Sequence, residues 1–210
     1  MKQVGDIWFP HSDTHFERFM NNDGSYQRDT FDASMEYVVS PKLFYDVGAH
    51  VGLWSLMAHK AGFKSITSFE PNPETFKCLE RNIGSFAKVW PLAIASERKT
   101  MSIKREHVDN SGAVRLEEGG DVLASRIDIE NIHEMIAGKE LRPHETLVKI
   151  DTEGMEWECV LGMDKILYAL RPVICVEQRT NERALEILGK MGMKIVNQVR
   201  KDYILTWKDQ

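Results

Sequence analysis

Several hallmarks of common protein classes are missing from this sequence. Nowhere do eighteen apolar residues run together, and residues 1–13 lack the charged flank and continuous apolar stretch of a signal peptide. The 210 residues contain no internal repeat or low-complexity tract. The three cysteines are odd in number and have no metal-type spacing. We therefore expect one soluble, cytoplasmic domain over residues 1–210, with no membrane partner and with its cysteines as buried thiols.

The sequence also has fewer basic than acidic residues. The chain has 27 Lys and Arg residues against 32 Asp and Glu residues, which gives a formal net charge of −5. Nonspecific binding to the phosphates of a nucleic acid needs clustered Lys and Arg that displace counterions. The acidic balance therefore argues against nucleic acid as a partner, although it leaves a local basic patch open.

What the sequence does contain is an alternation of short apolar runs with stretches of helical spacing. The runs at 43–47, 65–70 and 89–94 are suited to buried strands. Between them, apolar residues recur at three- and four-residue intervals, over 53–61 and again at Phe76, Leu79 and Ile83. This alternation is typical of parallel βαβ units, so we predict an α/β fold.

The rest of the chain continues this pattern with two exceptions. We predict helices over 129–137, 156–170 with a break near Gly162, and 181–191, and strands over 146–150 and 172–177. The last runs, 194–199 and 203–207, resemble a closing antiparallel hairpin. The exceptions are residues 97–128, expected as an insertion beside the sheet, and the aromatic residues 1–40, expected as a cap or lid. Those aromatics also leave a dimer surface open.

The segment DVGAHVG at 46–52 is the strongest local signal for a ligand site. A buried strand runs directly into a glycine turn that opens a helix. Glycines let the backbone approach a ligand where a side chain would collide, and the helix N-terminus that follows favours the negative end of that ligand. The segment indicates a nucleotide-like cofactor, with a plain tight strand-to-helix turn as the alternative.

Three details favour S-adenosylmethionine as that cofactor. Asp46 can accept hydrogen bonds from a ligand ammonium, directly or through water, and a dinucleotide pyrophosphate supplies no such donor. Gly48 and Gly52 form GxxxG rather than the GxGxxG of dinucleotide sites, and no GK[ST] follows to bind ATP phosphates. Glu70 ends the second strand, where α/β cofactor folds place an acid on the ribose hydroxyls.

Further acids lie in the segment KIDTEGME at 149–156. A buried strand there delivers them to the carboxyl edge of the sheet, where ligand crevices open. Asp151 is expected near the sulfonium methyl, where it orients an acceptor hydroxyl or acts as a general base. Capping of the next helix is the alternative role, and it suits Glu153 and Glu156 at least as well.

With these segments in place, the chain resembles the FkbM-type methyltransferases. The matching pieces are DVGAHVGLWSL at 46–56, FEPNPETFKCLERN at 69–82, VWPLAIAS at 89–96 and LVKIDTEGMEWECVLGM at 147–163. That family depends on S-adenosylmethionine and mostly methylates hydroxyl oxygens. The resemblance therefore implies a class I methyltransferase (Rossmann-like) fold, with a seven-stranded, mostly parallel sheet and an antiparallel last strand.

The resemblance also implies which residues bind the cofactor. Asp46, Gly48, Glu70 and Asn72 fall on the family's cofactor positions, and 92–93 fall where the adenine ring is flanked. His50 stands where Asn is commoner, and its imidazole can still donate. The full candidate cofactor set is Tyr26, Asp46, Gly48, His50, Gly52, Trp54, Glu70, Pro71, Asn72, Leu92, Ala93 and Asp151.

The candidates for catalysis are fewer, because methyl transfer depends largely on placing acceptor and donor in line. Asp151 is the first choice. Glu153, His107 and Glu177 are the alternative candidates. His107 is included because the histidine side chain is matched to neutral pH, and Glu177 because it ends a predicted strand. We expect no metal site, since the polar stretch that holds His11, Asp13 and His15 gives no frame for converging ligands.

The leading hypothesis is an S-adenosylmethionine-dependent O-methyltransferase that acts on a sugar or another small hydroxylated metabolite. Ribose methylation of RNA is one alternative. It would require a lysine-centred catalytic set and a basic surface, and the acidic balance of the chain weakens it. A nicotinamide-dependent oxidoreductase is another, although the third glycine of that motif is missing. A binding module that keeps the cofactor pocket without turnover is the third.

Overall fold

The computed structural model describes residues 1–16, 25–105, 107, 109–127, 141–178 and 182–208. Its strands are β1 Lys2–Val4, β2 Ile7–Phe9, β3 Leu43–Val47, β4 Ser65–Phe69, β5 Lys88–Trp90, β6 Ala93–Ile94, β7 Lys99–Arg105, β8 Val114–Glu118, β9 Val122–Ser125, β10 Thr146–Ile150, β11 Val173–Glu177, β12 Met193–Val199 and β13 Asp202–Trp207. Its helices are α1 Arg28–Met35, α2 Leu53–Lys60, α3 Pro73–Ile83, α4 Glu156–Gly162, α5 Asp164–Leu170 and α6 Arg183–Lys190.

The main sheet has seven strands in the order β12-β13-β11-β10-β3-β4-β5. β3 pairs in parallel with β4 and β10, and β10 pairs in parallel with β11. β13 is antiparallel to both of its neighbours, β11 and β12. The predicted α/β fold with a seven-stranded sheet and an antiparallel last strand is confirmed. Because the other strands run in one direction, their carboxyl ends meet at one edge.

The central strands are buried along their whole length because helices cover both faces of the sheet. Every residue of β3, β10 and β11 is buried. Tyr45, Val148 and Ile174 pack in one cluster with residues of α4, α5 and α6. Phe44 and Leu147 pack in a second cluster with residues of α1 and α2. All three cysteines are buried free thiols, as expected.

Most of the predicted helices and strands are present with shifted ends. The helix expected over 156–170 breaks into α4 and α5 at Met163, next to Gly162 as expected. A Cβ on Gly162 would lie 2.4 Å from the Ala95 carbonyl oxygen, so α4 ends in close contact with the residue after β6. The helix expected over 129–137 lies outside the described residues. Among the described residues, no helix is long and apolar enough to cross a membrane.

The prediction of one strand over 89–94 is wrong. Residues 88–90 form β5 in the main sheet, whereas residues 93–94 form β6 in a separate sheet with the order β6-β9-β7-β8. Pro91 stands between the two strands, and proline has no N–H to continue a ladder of hydrogen bonds. The chain therefore leaves the main sheet at this point, and residues 99–125 of the expected insertion supply the other three strands of the second sheet.

A small hairpin of β1 and β2 is attached to α3 through Asn82. Asn82 Oδ1 accepts from the Trp8 amide (2.8 Å), and its Nδ2 donates to the carbonyls of Trp8 (2.9 Å) and Val51 (2.8 Å). One side chain thus joins the N-terminal hairpin, α3 and the loop that precedes α2. The Arg81 guanidinium also lies over the Trp8 ring, 3.7 Å from its centroid.

Replacing Asn82 by Ala should lower the free energy of unfolding by about 1–3 kcal/mol, because backbone groups of the buried Val51 and the partly buried Trp8 lose their partner. Urea denaturation measures the change. Glu80→Ala, an exposed position on the same helix, is the control and should shift stability by no more than about 0.5 kcal/mol. Equal midpoints for the two variants would contradict this role of Asn82.

Candidate active site

A pocket opens at the carboxyl edge of the main sheet, where β3, β4 and β10 end. The strand ends and the loops after them supply most of its lining, at 47–50, 53–54, 69–71, 92–94, 149, 151–153, 155 and 159. The N-terminal part of the chain adds 15–16 and 26–27, and the region around the start of β8 adds 110–112, 114 and 116. The pocket therefore lies where ligand crevices form in α/β sheets.

Gly48 is the point where the glycine loop, residues 46–52, passes closest to the neighbouring strand. Its φ is +75°, and a Cβ there would lie 1.9 Å from the Asp151 carbonyl oxygen. Glycine is required at such a position. The amides of Gly48 and Ala49 both donate to the Phe69 carbonyl, at 3.0 Å each. The loop is thus held between the end of β4 and the residue after β10.

The glycine loop leads into α2 through Gly52, whose φ is +92°. Among the described residues, no side chain caps this helix. The first amides of a helix have no partner within it, and their partial positive charge favours an anionic group. Leu53 and Trp54, the first residues of α2, line the pocket. The helix therefore offers the pocket donors that suit a carboxylate.

Glu70 follows β4 and lines the pocket with 7% of its surface exposed. Its carboxylate accepts from the His50 amide (2.8 Å), the Asn72 amide (2.9 Å) and the Thr75 hydroxyl (2.8 Å). Burial raises the pKa of Glu70, and these three donors oppose the rise. A carboxylate has about four acceptor positions, so about one is left for a ligand hydroxyl.

Lys149 places a buried ammonium beside the glycine loop. Its Nζ donates to the Gly48 carbonyl (2.7 Å) and lies 3.5 Å from Asp46 Oδ1 and 3.8 Å from Asp151 Oδ2. Burial alone would lower the pKa of Lys149, but the neighbouring carboxylates, led by Asp151 and Asp46, outweigh burial and raise it. Lys149 is therefore a cation that neutralises strand-end acids and fixes Gly48.

Three carboxylates gather where β10 and β11 end. Oxygen atoms of Asp151, Glu153 and Glu177 lie within 4.8 Å of one another. Asp151 and Glu153 are partly buried and line the pocket, while Glu177 is buried. Carboxylate oxygens accept hydrogen bonds from hydroxyl groups and are the type of ligand that hard divalent cations take. This side of the pocket suits a hydroxylated or positively charged ligand.

Most of the predicted site residues come together at this pocket. From the candidate cofactor set, the lining contains Tyr26, Gly48, His50, Trp54, Glu70, Pro71, Leu92, Ala93 and Asp151. From the candidate catalytic set, it contains Asp151 and Glu153. The loops after β3, β4 and β10 thus converge although they lie far apart in the sequence.

Asp46 lies apart from this lining. It is fully buried, and its Oδ2 accepts from the Ser55 hydroxyl at 2.6 Å. The described residues that line the pocket do not include Asp46. Asp46 is therefore the partner of Lys149. Its expected contact with a ligand ammonium stays a prediction, and because Asp46 does not line the pocket, that contact would run through a water molecule.

Four more predicted residues are outside the described lining, and one of them, Glu177, is buried at the end of β11. Gly52 faces α3, where a Cβ would lie 2.9 Å from Leu79 Cδ1. Asn72 caps α3, because its Oδ1 accepts from the Glu74 amide at 3.1 Å. His107 is exposed beyond the end of β7, and the structure does not bring it to the pocket.

Two residues of this site, Lys149 and Ser111, had no predicted role. Lys149 lies inside the apolar run LVKI, so the sequence predicts it as part of a buried strand without a role of its own. Lysine is almost never fully buried unless it is paired with an acid. A lysine within a predicted buried strand therefore indicates a nearby acidic partner, and this signal would have identified Lys149. Ser111 also lines the pocket, and no motif marks it, whereas Phe16 and Gln27 lie in residues 1–40, which were expected as a cap or lid.

The chain is similar to the hexuronic acid methyltransferase AglP of Haloferax volcanii, with 25% identity over 151 residues. This match covers 70% of the chain and 61% of AglP, so the chain spans less than two thirds of that relative.

Among solved structures, the ribosomal protein L11 methylase of Lactobacillus delbrueckii subsp. bulgaricus aligns with a TM-score of 0.50 and 13% identity, over 86% of this chain and 78% of that one. A protein of the NADB-Rossmann superfamily from Streptococcus agalactiae aligns with a TM-score of 0.51 and 10% identity, over 88% and 69%. These two likenesses show the fold.

The sheet order, the antiparallel β13 and the pocket after β3 and β4 define a Rossmann-like fold of the class I methyltransferase type. The methyltransferase FkbM domain matches residues 46–200, which is most of the chain. The chain therefore belongs to the FkbM methyltransferase family, and the resemblance noted in the sequence is confirmed.

Replacing Gly48 by Ala should destabilise the protein more than replacing Gly62 by Ala. Both glycines have positive φ, but a Cβ on Gly62 would meet nothing within 4 Å, whereas one on Gly48 would meet the Asp151 carbonyl. Conformational strain alone costs about 1–2 kcal/mol. Urea denaturation of both variants separates strain from steric clash, and equal losses of stability would show that the close approach of Gly48 is unimportant.

Replacing Lys149 by Met should destabilise the protein by about 3–5 kcal/mol, because Asp46 is left as an unpaired buried charge. The double variant Asp46→Asn, Lys149→Met removes both charges and should recover part of the loss. Thermal and urea unfolding of the single and double variants measure this coupling. A double variant no more stable than Lys149→Met would contradict the pairing.

Proposed function

We propose that the protein is an S-adenosylmethionine-dependent methyltransferase that methylates a hydroxyl oxygen of a sugar or another small hydroxylated molecule. The observation that carries the proposal is the convergence of the glycine loop, Glu70 and Asp151 on one pocket. Membership of the FkbM methyltransferase family supports it independently.

The pocket residues fit the two ends of this cofactor. The uncapped N-terminus of α2 suits the amino-acid carboxylate, and the remaining acceptor position of Glu70 suits a ribose hydroxyl. Between the two, Val47, Phe69 and the segment 92–94 give an apolar lining that suits the adenine ring. Gly48 lets the loop pack directly on the backbone of residue 151, which holds the loop beside the pocket.

Asp151 is the residue that we assign to the acceptor. When bound, the cofactor supplies an electrophilic methyl group on its sulfonium. Asp151 lines the pocket next to the glycine loop and lies 3.8 Å from the Lys149 ammonium. An ionised carboxylate can accept a hydrogen bond from an acceptor hydroxyl, orient its oxygen and take up its proton. Glu153 offers a second acceptor in the same lining.

The class of acceptor is inferred from two sources. The similar protein AglP is named for a hexuronic acid, which is a sugar derivative. The carboxylates of Asp151, Glu153 and Glu177 suit a ligand that presents several hydroxyl groups. Acids in the lining and the net charge of −5 also make RNA a poorer acceptor.

Calorimetry with S-adenosylmethionine, S-adenosylhomocysteine and NAD tests the cofactor directly. We expect the first two to bind and NAD to give no response. Glu70→Gln should weaken the binding of S-adenosylhomocysteine about tenfold or more, because a hydrogen bond to a charged acceptor contributes about 1.5–3 kcal/mol. Glu80→Gln, on the exposed face of α3, is the matched control and should bind as the wild type does. Tight binding of NAD alone would refute the proposal.

A further inference from the structure

Residues before the family domain complete this pocket. The matched domain begins at residue 46, yet Phe16, Tyr26 and Gln27 line the pocket. The Phe16 ring stacks on the His50 imidazole, with 4.3 Å between centroids and an interplanar angle of 28°. Gln27 Oε1 accepts from Trp54 Nε1 at 2.9 Å. The N-terminal part of the chain therefore contacts both the glycine loop and the first turn of α2.

Asp13 joins this N-terminal part to the loop at 109–112. Its side chain is fully buried and accepts from the Phe16 amide (3.0 Å), the Ser111 amide (3.0 Å) and the Ser111 hydroxyl. The amides of Thr14 and His15 donate to the Asp109 carbonyl, at 3.0 and 3.2 Å. We name these contacts the Asp13 clasp. Its acceptor is a carboxylate, and hydrogen bonds to a charged acceptor are the stronger kind.

The Asp13 clasp reaches the glycine loop through His50. His50 Nε2 lies 2.6 Å from Ser111 Oγ and 3.9 Å from Asp13 Oδ2. The Ser111 hydroxyl has one proton, and Asp13 as a carboxylate can only accept. Ser111 therefore donates to Asp13, and His50 Nε2 must carry a proton to donate to Ser111. Burial lowers the pKa of His50 to about 4, with Asp13 opposing the change, so the ring is neutral at pH 7.

We propose that Asp13 is a positioning residue that acts through Ser111 to hold His50 as its neutral Nε2–H tautomer and to keep residues 13–16 closed over the cofactor pocket. The His50 amide donates to Glu70, so the clasp also supports the acid that we assign to the ribose. The neutral ring adds no positive charge to a pocket for a sulfonium cofactor. This inference rests on the proposed function for its link to cofactor release, whereas the tautomer and the closure do not depend on it.

The tautomer is tested by the nitrogen chemical shifts of the imidazoles in the wild-type protein, with His50→Gln used for assignment. We expect a protonated Nε2 and an unprotonated Nδ1 on His50. A wild-type His50 with its proton on Nδ1 would overturn the inference without any further variant. Ser111→Ala should produce a mixture of tautomers, and Ser111→Thr, which keeps the hydroxyl, should restore the wild-type signal.

The closure is tested with Asp13→Asn and its matched control Asp109→Asn. Asp109 takes part in the same clasp through its backbone carbonyl, and the residue is exposed. Asp13→Asn should speed hydrogen exchange at the amides of Phe16 and Ser111 and speed dissociation of S-adenosylhomocysteine about tenfold or more, because a charge-assisted contact is lost. Asp109→Asn should match the wild type in both measurements.

The outcomes separate this inference from the proposed function. Wild-type exchange at the amides of residues 16 and 111 in Asp13→Asn would overturn the closure. If Asp13→Asn does not fold, Ser111→Ala decides through the dissociation rate of S-adenosylhomocysteine, because this variant removes the hydroxyl that donates to Asp13. A wild-type dissociation rate would then overturn the closure. If the wild-type protein binds no S-adenosylhomocysteine, the proposed function fails, and the tautomer and the amide exchange still decide the role of Asp13.

Discussion

Lys149 Nζ lies in hydrogen-bond contact with the Gly48 carbonyl and close to the carboxylates of Asp46 and Asp151. Parallel strands end at one edge of a sheet, so acids at the ends of β3 and β10 are forced together. The pairing of Lys149 with Asp46 in the register of these strands puts the cation at this point. Its desolvation is unfavourable by itself, and the neighbouring carboxylates offset that cost. Without the cation, this edge would hold two repelling acids, and the Gly48 carbonyl would lose its hydrogen bond.

The glycine loop, which Lys149 holds at Gly48, is hydrogen-bonded in turn to the end of β4 and to Glu70. Its amides at 48 and 49 donate to the Phe69 carbonyl, and the next amide, from His50, donates to Glu70. Glu70 is also held by Asn72 and Thr75 at the start of α3. The loop and the acid therefore form one hydrogen-bonded unit before any ligand binds. Such preorganised polar groups favour binding because little ordering is left to be done.

The sequence predicted those parts of the molecule whose signal is local. The apolar runs of β3, β10 and β11 and the glycines at 48 and 52 are visible within a few residues, and they located the sheet and the pocket. The split at Pro91 was missed because the run 89–94 is apolar on both sides of the proline. The contact between Asp13 and Ser111 joins residues 98 positions apart, and isolated polar residues carry no periodic pattern that pairs them.

Two acids of the candidate cofactor set, Asp46 and Asp151, have different surroundings in the structure. Asp46 is fully buried and bonded to Ser55, whereas Asp151 is partly exposed to the pocket. Lys149 lies near both, yet Glu153 and Glu177 add negative charge on the side of Asp151 alone. Asp46 is therefore part of the buried scaffold beneath the glycine loop, whereas Asp151 is open to a ligand in the pocket.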